Sequence, residues 1–164
     1  MKRIALALVA TLALTTGCSK IREKLAEKAA EKAIETTTGG DVKVSSGGVT
    51  VKDDKTGGSV SVGTGAKAPD GWPSSVPIYP GATIQASMSN DNGRSVVLQT
   101  KDAPAKVTEF YKGKLGGMKK QAELDLGAAK TIAWKDGKTN ISLMVTSSND
   151  GQDSTTIQLS VADK

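Results

Sequence analysis

The sequence predicts an α+β fold: an antiparallel sheet of about five to six strands with one helix packed across one face, preceded by an N-terminal helix and a short Gly/Val-rich β-meander. Three observations predict it. From Thr83 onward, short runs alternate apolar and polar residues, the mark of half-buried strands. Between them, Val107, Phe110, Tyr111 and Leu115 follow helical spacing and give that segment one apolar face. Ahead of both, residues 39–65 repeat a unit that opens with Gly-Gly and carries Val-x-Val.

The elements justify themselves in order. Met1-Lys2-Arg3 is a short positive start, and residues 4–14 are apolar. That run is too short for a mature membrane span, which needs about 20 apolar residues. Charge, apolar run and small residues together read as a secretory signal. The run ends at Thr15-Thr16-Gly17-Cys18, which holds the chain's single cysteine. This stretch resembles the lipobox of bacterial envelope lipoproteins, with Thr15 where that family most often has Leu. The resemblance implies that 1–17 is a cleaved lipoprotein signal peptide. It also implies that Cys18 carries a diacylglycerol and an N-acyl chain, with no other cofactor. By the sorting rule of the same family, Ser19 in place of Asp favours the outer membrane, facing the periplasm, where a cell has two membranes. An ordinary signal peptide with an incidental cysteine is the competing reading.

Residues 18–38 form the next unit, a lipidated cysteine and a charged spacer helix. Over 20–35, KIREKLAEKAAEKAIE is built from strong helix formers. Its four-residue repeat advances about 40° per copy beyond a full turn, so the stripe of Ile21, Leu25, Ala29, Ala33 and Ile34 drifts around the helix. A coiled coil is therefore poorly supported. Residues 39–66 hold the Gly/Val repeats, with Val42 and Val44, Val49 and Val51, and Val60 and Val62 on one face of three short strands. Such a face needs a cover, and a disordered Gly/Ser linker is the alternative. Residues 67–80 form a linker with prolines at 69, 73, 77 and 80, stiff and extended. Trp72, Ile78 and Tyr79 are expected to pack it onto the following domain.

The domain spans 81–164. Ile84, Ala86 and Met88 alternate, Asn92-Gly93 signals a tight hairpin, and Val96 and Leu98 share a face of the return strand. Asp102 is the expected N-cap of the helix, with Pro104 in its first turn and Gly116-Gly117 ending it. Three strands follow near 130–135, 139–146 and 154–162, and 118–126 is a further candidate. Asp136-Gly137 turns the first pair and the loop with Asp150-Gly151 the second. "WPSSVPIYPGATI", "LQTKDAPAKVTEFYKGKLGGM" and "IAWKDGKTNISLMV" resemble a recurrent C-terminal domain of bacterial envelope lipoproteins, of the VPxYPGA…FYxxxL type. The resemblance covers roughly residues 20–164. That family carries no established activity, so it transfers no functional residues.

Composition narrows the function. The formal charge is +5, and +3 for a chain that begins at Cys18, too little to argue for nucleic acid. Aromatic residues are 3% of the chain, which leaves few platforms for base stacking. The chain has no histidine, so the usual general base and the commonest metal ligand are missing. No serine sits in a recognisable nucleophile motif, so no catalytic residue is assigned. Asp53-Asp54 and Asn149, Asp150 and Asp153 lack the spacing of a calcium loop, and no metal site is assigned. The candidate binding face is the outward side of the sheet, with Gln85, Gln99, Asn140, Ser142 and Gln158, joined by Ser87, Thr131, Thr156 and Ser160. A flat amide and hydroxyl surface suits glycan or protein, although one solvated face is also what antiparallel sheets ordinarily keep. Lys112, Lys114, Lys119 and Lys120 cluster at the helix end, where cations complement the helix dipole.

The reading is thus a membrane-anchored lipoprotein of the cell envelope, not an enzyme. It binds the membrane through its lipid, acts as a binding or accessory component with an envelope protein partner, and takes no nucleic acid. The alternatives are a small-ligand or glycan-binding lipoprotein and an unrecognised hydrolase.

Overall fold

The computed structural model describes residues 27–29, 31–32, 40–45, 47–53, 55–148 and 154–163. Cys18, Ser19 and the Asp150-Gly151 turn lie outside them. Among the described residues nine strands run as β1 (Asp41–Ser45), β2 (Gly48–Lys52), β3 (Ser59–Val62), β4 (Thr83–Asn90), β5 (Gly93–Thr100), β6 (Lys119–Asp125), β7 (Ala129–Asp136), β8 (Thr139–Ser148) and β9 (Ser154–Asp163). One helix, Pro104–Lys114, lies between β5 and β6. All nine strands join one antiparallel sheet in the order β1-β2-β3-β4-β5-β9-β8-β7-β6.

The expected α+β fold with a sheet of about five to six strands does not form; the chain is largely β. The meander is not a separate unit ahead of the sheet. Its third strand pairs with β4, placing Val60 opposite Met88 and Val62 opposite Ala86. That pairing satisfies backbone groups that β4 would otherwise leave open as an edge. It also lengthens the sheet by three strands at one side.

The core lies on the helix-facing side. Val96 and Leu98 of β5, Ile157, Leu159 and Val161 of β9, Ile141, Leu143 and Val145 of β8, and Ile132 and Trp134 of β7 are buried there. Each alternates with more exposed residues along its strand, as the pleat requires. The helix sets Val107, Tyr111 and Leu115 onto this layer, and the linker adds Val76 and Tyr79. Pro104 opens the helix with its φ already near the helical value and no N–H to leave unpaired. Ala103, not Asp102, is the N-cap, and no side chain caps it. Lys112 and Lys114 in the last turn face the negative end of the dipole. A Cβ on Gly116 would stand 2.8 Å from the Lys112 carbonyl, so glycine suits the chain's exit there.

The Gly47-Gly48 pair of the meander has a tight-packing cause. Gly63, at φ +114°, lies against Gly47 and Gly48, and a Cβ on it would sit 2.4 Å from the Gly47 carbonyl oxygen. The β2 and β3 ends approach that closely only without side chains. At the β1 edge, the Val44 N–H donates to the Glu31 carboxylate at 2.8 Å. Glu27–Ala29 and Glu31–Lys32 are helical, as expected for the spacer; the rest of 20–35 lies outside the described residues.

Candidate functional site

β4 carries an irregularity between Ile84 and Ala86. Ile84 pairs with Leu98 on the core side, but Ala86 pairs with Val97 and Met88 with Ser95 on the open side. The expected single face for Ile84, Ala86 and Met88 is therefore split. A bulge adds one residue and shifts the phase of the strand beyond it. The same shift turns Ser87 inward, where it is 5% exposed, rather than onto the open face.

The open face follows from register. One row crosses the whole sheet as Val44, Val49, Val62, Ala86, Val97, Gln158, Met144, Thr131 and Leu124. The adjacent row runs Val42, Val51, Val60, Met88, Ser95, Ser160, Ser142, Ala133 and Ala122. Neither row contains a charged residue. Val42 is buried, but Val60, Val62, Met88 and Met144 are 43%, 55%, 45% and 38% exposed. The face expected to be a flat amide and hydroxyl surface is thus apolar at β1–β5 and small or apolar over much of the remainder. The Val-x-Val repeats were its signal, but their side became defined only once β3 met β4.

The five residues singled out on this face do not form one cluster. Ser142 and Gln158 belong to the two uncharged rows. Gln85 and Gln99 flank them at one end, where the Gln85 amide donates to Gln99 at 3.1 Å and Gln99 donates to the Ser154 hydroxyl at 3.2 Å. Asn140 lies toward the other end, between Lys135 and Ala162. It is four residues along β8 from Met144, or about 14 Å.

A second feature had no sequence expectation. On the helix side of the meander, Thr50, Ser61 and Ser87 stand opposite one another, and so do Lys52, Ser59, Ser89 and Arg94. The linker passes over these residues and leaves a trough between itself and the strands. One part encloses about 380 Å³, with Lys52, Ser59, Asp70, Ser89, Asn90, Asp91 and Arg94 among its walls. The adjoining part, about 240 Å³, shares Lys52, Ser59 and Asp70 and adds Thr50, Ser61, Lys67 and Ser87. Its residues are the polar half of the Val-x-Val alternation, visible in sequence but not assignable to a common floor without the register.

Pro-Tyr-Pro-Gly and Phe-Tyr have a structural use. The Tyr79 hydroxyl donates to Asp102 at 2.7 Å, and Lys106 reaches the other Asp102 oxygen at 2.9 Å. Thr155 donates to the Asp102 carbonyl at 2.6 Å. Tyr79 and Tyr111 each meet Phe110 edge-on with ring centroids 5.1 Å apart. Pro-Tyr-Pro-Gly and Phe-Tyr thus clamp the linker to the helix and to the start of β9. Burial, then the bond to Asp102, pushes the Tyr79 hydroxyl up to about 12. Lys106, then Tyr79, holds Asp102 below its ordinary value. Tyr111 is fully buried, and among the described residues its hydroxyl has no hydrogen-bond partner; burial raises its pKa.

Two of the four lysines at the helix end are engaged in ion pairs. Lys112 and Lys120 both bond Glu123, the latter at 2.8 Å, and Lys130 stands 3.6 Å from it and 3.1 Å from Asp125. The bonds from Lys112 and then Lys120 bring the Glu123 carboxyl from 4.5 to about 2. A carboxylate with a lowered folded value stabilises the fold above its ordinary pKa, and that contribution is lost as pH falls through the folded value. Glu123→Gln is therefore expected to flatten the decline in stability between pH 4.5 and about 2, measured by urea unfolding across that range. Identical acid limbs for variant and parent would refute the tie. Asp53 accepts the Lys55 N–H at 2.8 Å, as a turn aspartate does.

No family model matches the chain, and neither the curated proteins nor the solved structures contain a match to it.

Proposed function

We propose that this chain is a membrane-anchored bacterial lipoprotein that serves as a non-catalytic binding or accessory component of the cell envelope, and that its open sheet face holds a protein partner. Thr16-Gly17-Cys18 after a positive start and an apolar run supports the anchor, and Ser19 supports an outer-membrane address. Among the described residues, no helix is long and apolar enough to cross a membrane.

The observation that carries the binding role is the pair of uncharged rows crossing nine strands. The chain is 24% charged, yet neither row holds a charge, and five of their apolar side chains, Val60, Val62, Met88, Leu124 and Met144, stand well exposed. Depletion of charge around apolar side chains is the composition of an interface centre. Monomeric proteins seldom expose such contiguous apolar surface without a use for it. A photo-crosslinking amino acid at Met88 or Met144, in living cells, tests the reading. Both positions are expected to yield a discrete protein adduct. Glu109, on the exposed side of the helix, is expected to yield none, and Cys18→Ala is expected to abolish the adduct. Silence at both open-face positions would reject the face as the binding surface.

A further inference from the structure

We infer that the trough on the helix side of β2, β3 and β4 is a second binding site, and that its ligand is a neutral polyhydroxylated chain, a carbohydrate. Its volume of about 380 Å³, continued by about 240 Å³ beyond, matches the size of small-ligand sites. The chemistry of its floor sets the ligand class.

The floor is made of hydroxyls that already meet in pairs. Ser59 and Ser89 lie 2.9 Å apart, and Thr50 and Ser61 are in hydrogen-bond contact. Within each pair one hydroxyl donates to the other. One O–H and several lone pairs per pair then remain for a ligand. Such a floor both gives and accepts hydrogen bonds, as sugar hydroxyls do. The lining charges are of both signs, Lys52, Lys67 and Arg94 against Asp70 and Asp91, with Lys52 beside Asp70, so the trough presents no field of one sign to select an ion. An apolar ligand would find little more than Ala68 and Pro69.

The trough is also held open. Arg94 Nε donates to the Asp70 carbonyl at 3.0 Å, and Lys52 stands 3.6 Å from the Asp70 carboxylate. Gly71, at φ +71°, lets the linker pass the guanidinium, which would come within 3.0 Å of a Cβ. At the other end Gly63 N–H donates to the Gln85 carbonyl and Gly65 N–H to the Gly47 carbonyl, both at 2.8 Å. A cleft fixed before binding loses less freedom when its ligand arrives.

The test uses the full chain in detergent on an array of neutral and acidic oligosaccharides, then calorimetric titration with the neutral member best retained. Ser59→Leu, which fills the floor, is expected to weaken that binding by tenfold or more, about the loss of one to two hydrogen bonds. Ser59→Ala with Ser89→Ala is expected to weaken it several-fold and keeps the test decisive should the leucine variant misfold. Glu109→Gln, on the exposed side of the helix, is expected to leave it unchanged. Retention of no neutral glycan, retention of acidic members alone, or equal affinity in parent and the alanine pair would overturn the site. Each of these outcomes is read separately from the crosslinks at Met88 and Met144.

Discussion

Replacing Leu159 with alanine is expected to destabilise the fold by about 2–5 kcal/mol, the range for a fully buried leucine in a core that only partly collapses around the gap. Leu159 is 0% exposed and lies between Val96 of β5 and Leu143 of β8 in register. The helix covers that layer with Val107, Tyr111 and Leu115. A cavity there lowers contacts on both neighbouring strands and on the helix at once. The comparison is Met144→Ala on the opposite face, at 38% exposure, which is expected to cost under about 1 kcal/mol. Urea unfolding measures both, with an unchanged slope confirming that only stability moved. A loss under about 1 kcal/mol at Leu159 would mean that the core is not organised around the β5-β9-β8 strands.

Local periodicity made most of the 81–164 segment legible. β7, β8 and β9 lie within a few residues of their expected places, and the candidate strand at 118–126 is β6. The hairpins fall where Asn92-Gly93 and Asp136-Gly137 signal them, but each two-residue turn is one position off the dipeptide, at Asp91-Asn92 and at Gly137-Lys138. The expectation that Trp72, Ile78 and Tyr79 seat the linker holds for a local reason: they are the large apolar residues between prolines, and all three pack on the core.

What escaped was set by register between distant segments. Nothing in the Val-x-Val repeats names β4 as the neighbour of β3, since the two are separated by the linker. The fold class went wrong at that junction. The bulge between Ile84 and Ala86 is equally silent in the sequence, and it alone decides whether Met88 and Ser87 face the core or the solvent. Both candidate surfaces depend on those two facts. Joining β3 to β4 aligns the meander valines with Val97 and Met144, and aligns the meander hydroxyls with Ser87 and Ser89. The alternating repeats therefore extend the open face on one side and build the trough on the other.

Removal of the Cys18 thiol is expected to have the largest effect on where the protein resides. Cys18→Ala removes the one sulfur that resembles a lipidation site. Each buried methylene contributes about 0.8 kcal/mol, one acyl chain alone binds marginally, and two or more hold a protein stably. The variant is therefore expected to take up no labelled palmitate, while the parent takes it up and loses residues 1–17. Without cleavage before residue 18, the variant is expected to persist as a precursor that migrates above the parent. Label uptake and migration are the readouts of choice, because an uncleaved apolar segment at 4–14 would keep some chain with the membrane fraction in either case. Equal palmitate uptake in parent and variant would reject Cys18 as the anchor. Label absent from both, with a normal cut, would return residues 1–17 to an ordinary secretory signal and leave the sheet face to act in solution.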